Sequence, residues 1–227
     1  GGKVIFDGTS SQSINKSSSY VPSFKKVVIN KSSGVLTLST PVSISDSLSF
    51  LKGIINSDTT NFISLANGGK ATGASDSSFV NGPFKKIGNA AFVFPIGYNI
   101  SYGYRPIEIT APSSTSDAYT AQYLHQQQSL GSALDTSIEH LNTCEYWKLT
   151  RNAGTSKVRI KINWNHDSCD FVNPLYMRIA GWNGSIWNDL RSYAYSGDSI
   201  KGSITSLDSA TTISVFTTAI KRCIYFR

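Results

Sequence analysis

Charge is scarce in this sequence. Only 15% of its 227 residues are Asp, Glu, Lys or Arg, against about a quarter in an ordinary soluble domain. Glutamate occurs three times, at Glu108, Glu139 and Glu145. Solubility rests instead on Ser, Thr and Asn, the surface of an extracellular β-protein with many turns rather than the Lys/Glu coat of a cytosolic one. The shortage of Glu also accounts for the formal net charge of +7. The basic residues themselves are dispersed, with doublets only at Lys25-Lys26, Lys85-Lys86 and Lys221-Arg222. A nucleic-acid reader would gather them on one face beside stacking aromatics, so no nucleic-acid partner is expected.

Cysteine is as rare as glutamate. Cys144, Cys169 and Cys223 permit at most one internal disulfide, and their spacing does not fix which two would pair. None has CxxC or CxH spacing, and His125, His140 and His166 form no HxH or HExxH, so no zinc site is expected. Asp167-Ser-Cys-Asp170 lacks the alternating oxygens and glycine of a calcium loop and reads as a turn. No cofactor and no metal are expected. Apolar runs of about 18 residues are missing too, and no signal peptide is visible, so no membrane span is expected. The three Glu have no spacing that sets two carboxylates across a cleft. No GxSxG elbow occurs, and Gly68-Gly69 leads into neither GKS/T nor a helix. The expectation is a protein that is not an enzyme.

What is present is strand. Residues 3–66 carry apolar pairs at short intervals: Val4/Phe6, Val27/Ile29, Leu36/Leu38, Val42/Ile44, Leu48/Phe50, Ile54 and Ile63/Leu65. The steps from Ile29 to Leu36, Val42, Leu48 and Ile54 are six or seven residues. Three such steps make a coil of about 20 residues, the size of one rung of a parallel β-solenoid, with Ser, Thr and Asn at the corners able to stack in ladders. Two or three rungs fit before residue 70, too few to stand without a cap. Residues 67–88 read as a Gly/Ser-rich connection anchored by Phe79-Val80 and Phe84.

Phe92-Val-Phe-Pro-Ile-Gly97 is the expected hinge, where Pro95 stops ladder pairing and Gly97 permits a sharp turn. Beyond it strands are expected at 92–95, 104–110, 118–124, 145–150, 157–164, 175–181, 185–190, 200–206 and 212–217, with a last near 222–226. In Lys157–Trp164, Val158, Ile160, Ile162 and Trp164 should face in and the residues between them out. Arg151–Ser156 reads as a hairpin connection from the strand before it. The helix-like spacing of Leu130, Leu134, Ile138 and Leu141 amounts to a short turn. The fold expected is all-β: a short parallel β-solenoid segment over 1–88, then an antiparallel β-sandwich over 89–227.

A resemblance covers nearly the whole chain. Val28-Ile29-Asn30, Gly34-Val35-Leu36, Gly53-Ile54-Ile55, Ser78-Phe-Val-Asn-Gly-Pro83 and Phe94-Pro-Ile-Gly97 are its first part. Glu145-Tyr-Trp147, Asn163-Trp164, Ala180-Gly-Trp-Asn-Gly184 and Val215-Phe-Thr217 are its second. Together they resemble large secreted, adhesin-like surface proteins of bacteria that use the type IX secretion route. The resemblance implies a β-helix end running into a β-sandwich, a secreted cell-surface location, and further repeats and a sorting domain. The chain ends at Ala219–Arg227 without a sorting domain, as a mature subunit or an excised segment would.

Three functions follow as expectations. The first is a non-catalytic structural or adhesion module whose partners are other modules or copies of the same protein. The second is a carbohydrate-binding module. Trp182-Asn-Gly-Ser-Ile-Trp187 reads as a Trp–turn–Trp hairpin, and Trp182, Asn183, Trp187, Tyr193 and Tyr195 could meet a polysaccharide; the two Trp could equally fill the core. The third is a fibre subunit, in which Ile224, Tyr225 and Phe226 add as a strand to the open rung at Val4 and Phe6 of a neighbour.

Overall fold

The structure, a computed structural model, describes residues 2–17, 19–98, 103–165, 173–210 and 213–222. It is all-β: a β-solenoid of about four turns continues into a sandwich with a second, antiparallel sheet. The solenoid strands are β1 (Lys3–Gly8), β2 (Gln12–Ile14), β3 (Ser23–Leu38), β4 (Val42–Asn56), β5 (Ile63–Leu65), β6 (Lys70–Thr72), β7 (Val80–Asn81) and β8 (Phe84–Ile87). All pair in parallel, and Val27 lies over Leu48, Val42 over Ile63, and Ile63 over Phe84, each one coil of 21 residues apart. The expected count of two or three rungs is short. The Gly/Ser-rich stretch read as a connection contains β6, β7 and β8, strands of two to four residues that complete the later coils.

Stacking brings like residues together. Asn81 Nδ2 donates to Asn56 Oδ1 one coil below at 3.1 Å, and Ser78 Oγ donates to the Gly53 carbonyl at 3.0 Å. Gly53 turns a corner at φ 103°. A side chain there would meet Lys31 Cβ at 2.7 Å, so only glycine fits both the backbone and the space. Lys31 is itself buried. Its ammonium donates to the Ser10 carbonyl (2.7 Å) and Gln12 Oε1 (3.0 Å), filling the corner of the first coil.

Two seams join solenoid to sandwich. The first is β8, which pairs in parallel with β5 on one side and antiparallel with β12 (Ala118–Leu124) on the other. From there the sheet is antiparallel, through β14 (Tyr146–Ala153), β20 (Val215–Lys221), β16 (Met177–Trp182) and β17 (Trp187–Asp189). The second seam is Pro95. Before it, β9 (Phe92–Phe94) lies in the second sheet against β11 (Ile107–Ile109); after it, β10 (Ile96–Gly97) lies in the first sheet against β7. Proline has no N–H to place in either ladder, while its carbonyl accepts the Val80 N–H at 2.8 Å. Gly97 is required by close approach, since a Cβ would overlap the Gly103 carbonyl and the Phe79 ring. Phe84, Phe92 and Phe94 knot the two sheets with ring centroids 5.1–6.4 Å apart. Each ring buried this way stabilises by about 1.5–3 kcal/mol.

The second sheet runs β18 (Ala194–Gly197), β19 (Gly202–Thr205), β15 (Ile160–Trp164), β11, β9. Val158, Ile160, Ile162 and Trp164 all face the core, as their alternation predicts. Residues 151–156 do not form a hairpin, however: β14 belongs to the first sheet and β15 to the second, so this connection crosses between sheets. Its loop is fastened by Ser156 Oγ donating to buried Asp117 Oδ2 and by Tyr119 OH donating to the Ser156 carbonyl. Within Leu130–Leu141, the segment from Ile138 forms β13 (Ile138–Leu141) against β20. One apolar cluster extends from Val27 to Phe216, so solenoid and sandwich share a core.

Candidate functional site

The Trp–turn–Trp hairpin forms as its sequence predicts, with Trp182 opposite Trp187 across β16 and β17. Asn183 builds the turn, its Oδ1 accepting the Ser185 and Ile186 N–H groups at 2.9 Å. Trp187, however, offers no face to a ligand. It is fully buried in a small cluster with Ile138, Ala180 and Ala219, and its indole N–H donates to the Gly131 carbonyl at 2.9 Å. Segment 131–135 lies along β17, exchanging Trp187 N–H to Ala133 carbonyl and Asp135 N–H to Trp187 carbonyl bonds, each 2.9 Å. Half-buried Trp182 packs on Trp187 at 5.6 Å and against Gly131. Segment 131–135 thus covers the outer edge of the first sheet, and the Trp pair clamps it there.

Tyr193 and Tyr195 stand in the other sheet, and they are exposed (66% and 47%). Alternate positions on and beside β18 put them on one outer face, with the Arg159 guanidinium 5.5 Å from the Tyr193 ring. The five residues proposed for sugar binding therefore divide: a closed aromatic pair with its turn residue, and an open tyrosine pair.

A cleft of about 460 Å³, lined by apolar as well as polar groups, lies where the solenoid meets the second sheet. Asp76 comes from the solenoid, Tyr104 from the approach to β11, Lys161 and Asn163 from β15, and Lys201 and Ser203 from the β19 region. Asp76 Oδ1 accepts the Tyr104 N–H at 3.0 Å, and Lys161 pairs with Glu108 at 3.1 Å. Burial, and then the Glu108 charge, push the Tyr104 hydroxyl up to about 12, so it is a neutral hydrogen-bonding group near pH 7. Hydroxyls, an amide, ammonium groups and a carboxylate suit a polyhydroxylated ligand.

A buried ionic cluster escapes sequence reasoning altogether. Arg105 and Glu145 are each about 1% exposed, with Nε 3.6 Å from Oε2. Tyr123 OH donates to the same Oε2 at 2.8 Å, and its oxygen lies 3.3 Å from His125 Nδ1. Burial first, then the Glu145 charge, raise the Tyr123 hydroxyl; burial lowers His125. The Arg105 carbonyl accepts the Trp147 indole N–H at 3.1 Å, and Thr217 Oγ1 donates to the Glu145 carbonyl at 2.8 Å. The cluster ties the approach to β11 onto the first sheet. Glu145 is buried there, Glu108 lies in the second sheet, and Glu139 is exposed on β13.

Among the described residues, no three or more His, Cys, Asp or Glu are grouped to hold a metal ion, and no helix is long and apolar enough to cross a membrane. Searches against protein-family models, curated proteins and solved structures found no match. Cys144 is disulfide-bonded. Cys169, Cys223 and His166 lie outside the described residues, as do Asp167 and Asp170. So do the strand-donation residues Ile224, Tyr225 and Phe226, whereas Val4 and Phe6 sit half-buried on β1 at the sheet's edge. Ala219–Lys221, just before them, belong to β20 inside the first sheet.

Proposed function

We propose that the chain is a non-catalytic structural or adhesion module of a secreted bacterial surface protein, of the adhesin-like kind exported by the type IX route. One observation carries the reading: a single sheet runs from the first described solenoid coil, through β8, into a sandwich. Such an element terminates a β-solenoid and connects what lies on either side of it. The disulfide at Cys144 fits an oxidising, extracellular compartment. Antibodies against the chain should label intact cells; labelling only after permeabilisation contradicts the reading. Incubation with a panel of polysaccharides should release no new reducing ends.

A second reading, carbohydrate binding, is favoured by the exposed Tyr193/Tyr195 face and the cleft beside β15. In it, Tyr193→Ala and Tyr195→Ala abolish retention on a polysaccharide column. Retention unchanged in both variants removes the tyrosine face from the reading.

A further inference from the structure

The outer face of the first sheet carries a groove of about 320 Å³ at the seam between solenoid and sandwich. Strands flank it on both sides, since β12 and β14 stand in the middle of the sheet's main path. Alternation sets its floor. Ala121, Trp147 and Leu149 are buried in the core, so Thr120 and Gln122 of β12 and Lys148 and Thr150 of β14 stand outward. In register, Thr120 lies opposite Thr150 and Gln122 opposite Lys148. Half-buried Phe62 and buried Pro83 make the wall on the solenoid side. The floor continues a longer row. Ser43 pairs with Ser64, Ser64 with Lys85, and Lys85 with Thr120. Polar side chains thus cross the sheet from β4 to β14 at the strand spacing of about 4.7–4.9 Å.

Most of these groups are unclaimed. Thr120 Oγ1 donates to Asn152 Oδ1 at 2.6 Å, which leaves both amide N–H bonds of Asn152 to donate elsewhere. Gln122 and Thr150 side chains make no hydrogen bond among the described residues. Lys148 lies over the Tyr146 ring at 6.0 Å, and neither it nor Lys85 is in an ion pair among the described residues. The lining includes this lysine and no Asp or Glu. Asp58, beside Thr59 at the rim, is committed to its own turn, its Oδ1 accepting the Thr60 and Asn61 N–H groups at 2.7 Å. A groove of one sign draws ligands of the other. A protein partner would call for a core of several large apolar side chains, and here Phe62 is the single ring in the lining.

We propose that this groove binds an acidic polysaccharide lying across the strands. Its sugar rings rest on Phe62 and Pro83, its hydroxyls meet Gln122, Thr150 and Asn152, and a carboxylate meets Lys148. The site is on the other sheet from Tyr193 and Tyr195 and does not rest on the reading that uses them.

Calorimetric titration of the full chain with polygalacturonate, and with dextran as an uncharged polymer, tests this. Wild type binds polygalacturonate, more weakly as salt is added, and leaves dextran unbound. Lys148→Glu weakens binding by roughly tenfold or more. Thr150→Trp, which fills the groove without altering charge, does the same. Lys70→Glu makes the same change in net charge on β6, away from the groove, and binds as wild type does. All three positions are exposed, so melting temperatures stay within a few degrees of wild type. Wild type that ignores polygalacturonate at millimolar uronate overturns the proposal, as does dextran bound equally well. A loss in Lys70→Glu as large as that in Lys148→Glu overturns it too, because net charge alone would then be the attraction. Binding lost in Tyr193→Ala but kept in Lys148→Glu and Thr150→Trp overturns this groove while leaving the tyrosine face standing.

Discussion

Buried charge in this molecule sits at single residues, each with a different solution. Glu145 and Arg105 share one enclosed site with Tyr123. Removing one partner leaves the other charge in an apolar interior, so Glu145→Ala should cost about 3–5 kcal/mol. Urea unfolding of this variant checks it, and a loss below about 1 kcal/mol would indicate that water reaches the pair. Lys86 pairs with no carboxylate among the described residues. Its ammonium donates to the Ala66 and Ile87 carbonyls at 2.7 and 2.6 Å and lies over the Phe92 ring. Burial lowers its pKa from the ordinary 10.5 to about 8. Between those values the unfolded chain holds a proton that the folded chain has released. Stability from this group therefore rises from pH 8 to 10.5 and is lost as pH falls back through 8. Lys86→Met removes the titration while leaving the same carbonyls unmet at every pH. Over that window the urea midpoint of wild type should gain on that of the variant; a constant gap contradicts the burial argument.

Strands show how far sequence carries. In β15, Ile160 is fully enclosed between Ile109 on its ladder partner and the facing sheet, as strict alternation requires. Ile160→Asp should abolish cooperative melting, because it places an unpaired carboxylate in the core. A melting temperature within a few degrees of wild type would mean the strand's faces are reversed. Trp187 was ambiguous for a physical reason. Alternation tells which residues share a face, but not whether a distant segment such as 131–135 covers that face. With both sides occupied, Trp187→Ala should cost about 3–5 kcal/mol, whereas Tyr193→Ala should leave stability within about 0.5 kcal/mol. Comparing their urea midpoints decides between clamp and platform. Turn chemistry has a similar limit: residues 151–156 mark an end to β14 but not the sheet that the next strand joins. Strands as short as β7 and β10 carry too few side chains to register as a period at all. The Arg105–Glu145 cluster was invisible because forty residues separate its charges and only the fold unites them.

For the whole molecule, the two architectures inferred from spacing are both there, and the hinge at Pro95 is where the chain changes sheets. What spacing did not show is that the joint is a shared core rather than a connection. β8 belongs to both ladders, and the apolar cluster is continuous from Val27 to Phe216. All four tryptophans, Trp147, Trp164, Trp182 and Trp187, lie in the sandwich. Their fluorescence therefore follows that part alone, while far-UV circular dichroism follows every strand. Equilibrium urea unfolding of the oxidised chain, recorded by both probes on the same samples, asks directly whether the solenoid is capped by the sandwich. A shared core predicts one transition with the same midpoint and slope by both signals. Dichroism that is lost at lower urea while tryptophan fluorescence stays native would contradict it, showing a solenoid that unfolds on its own.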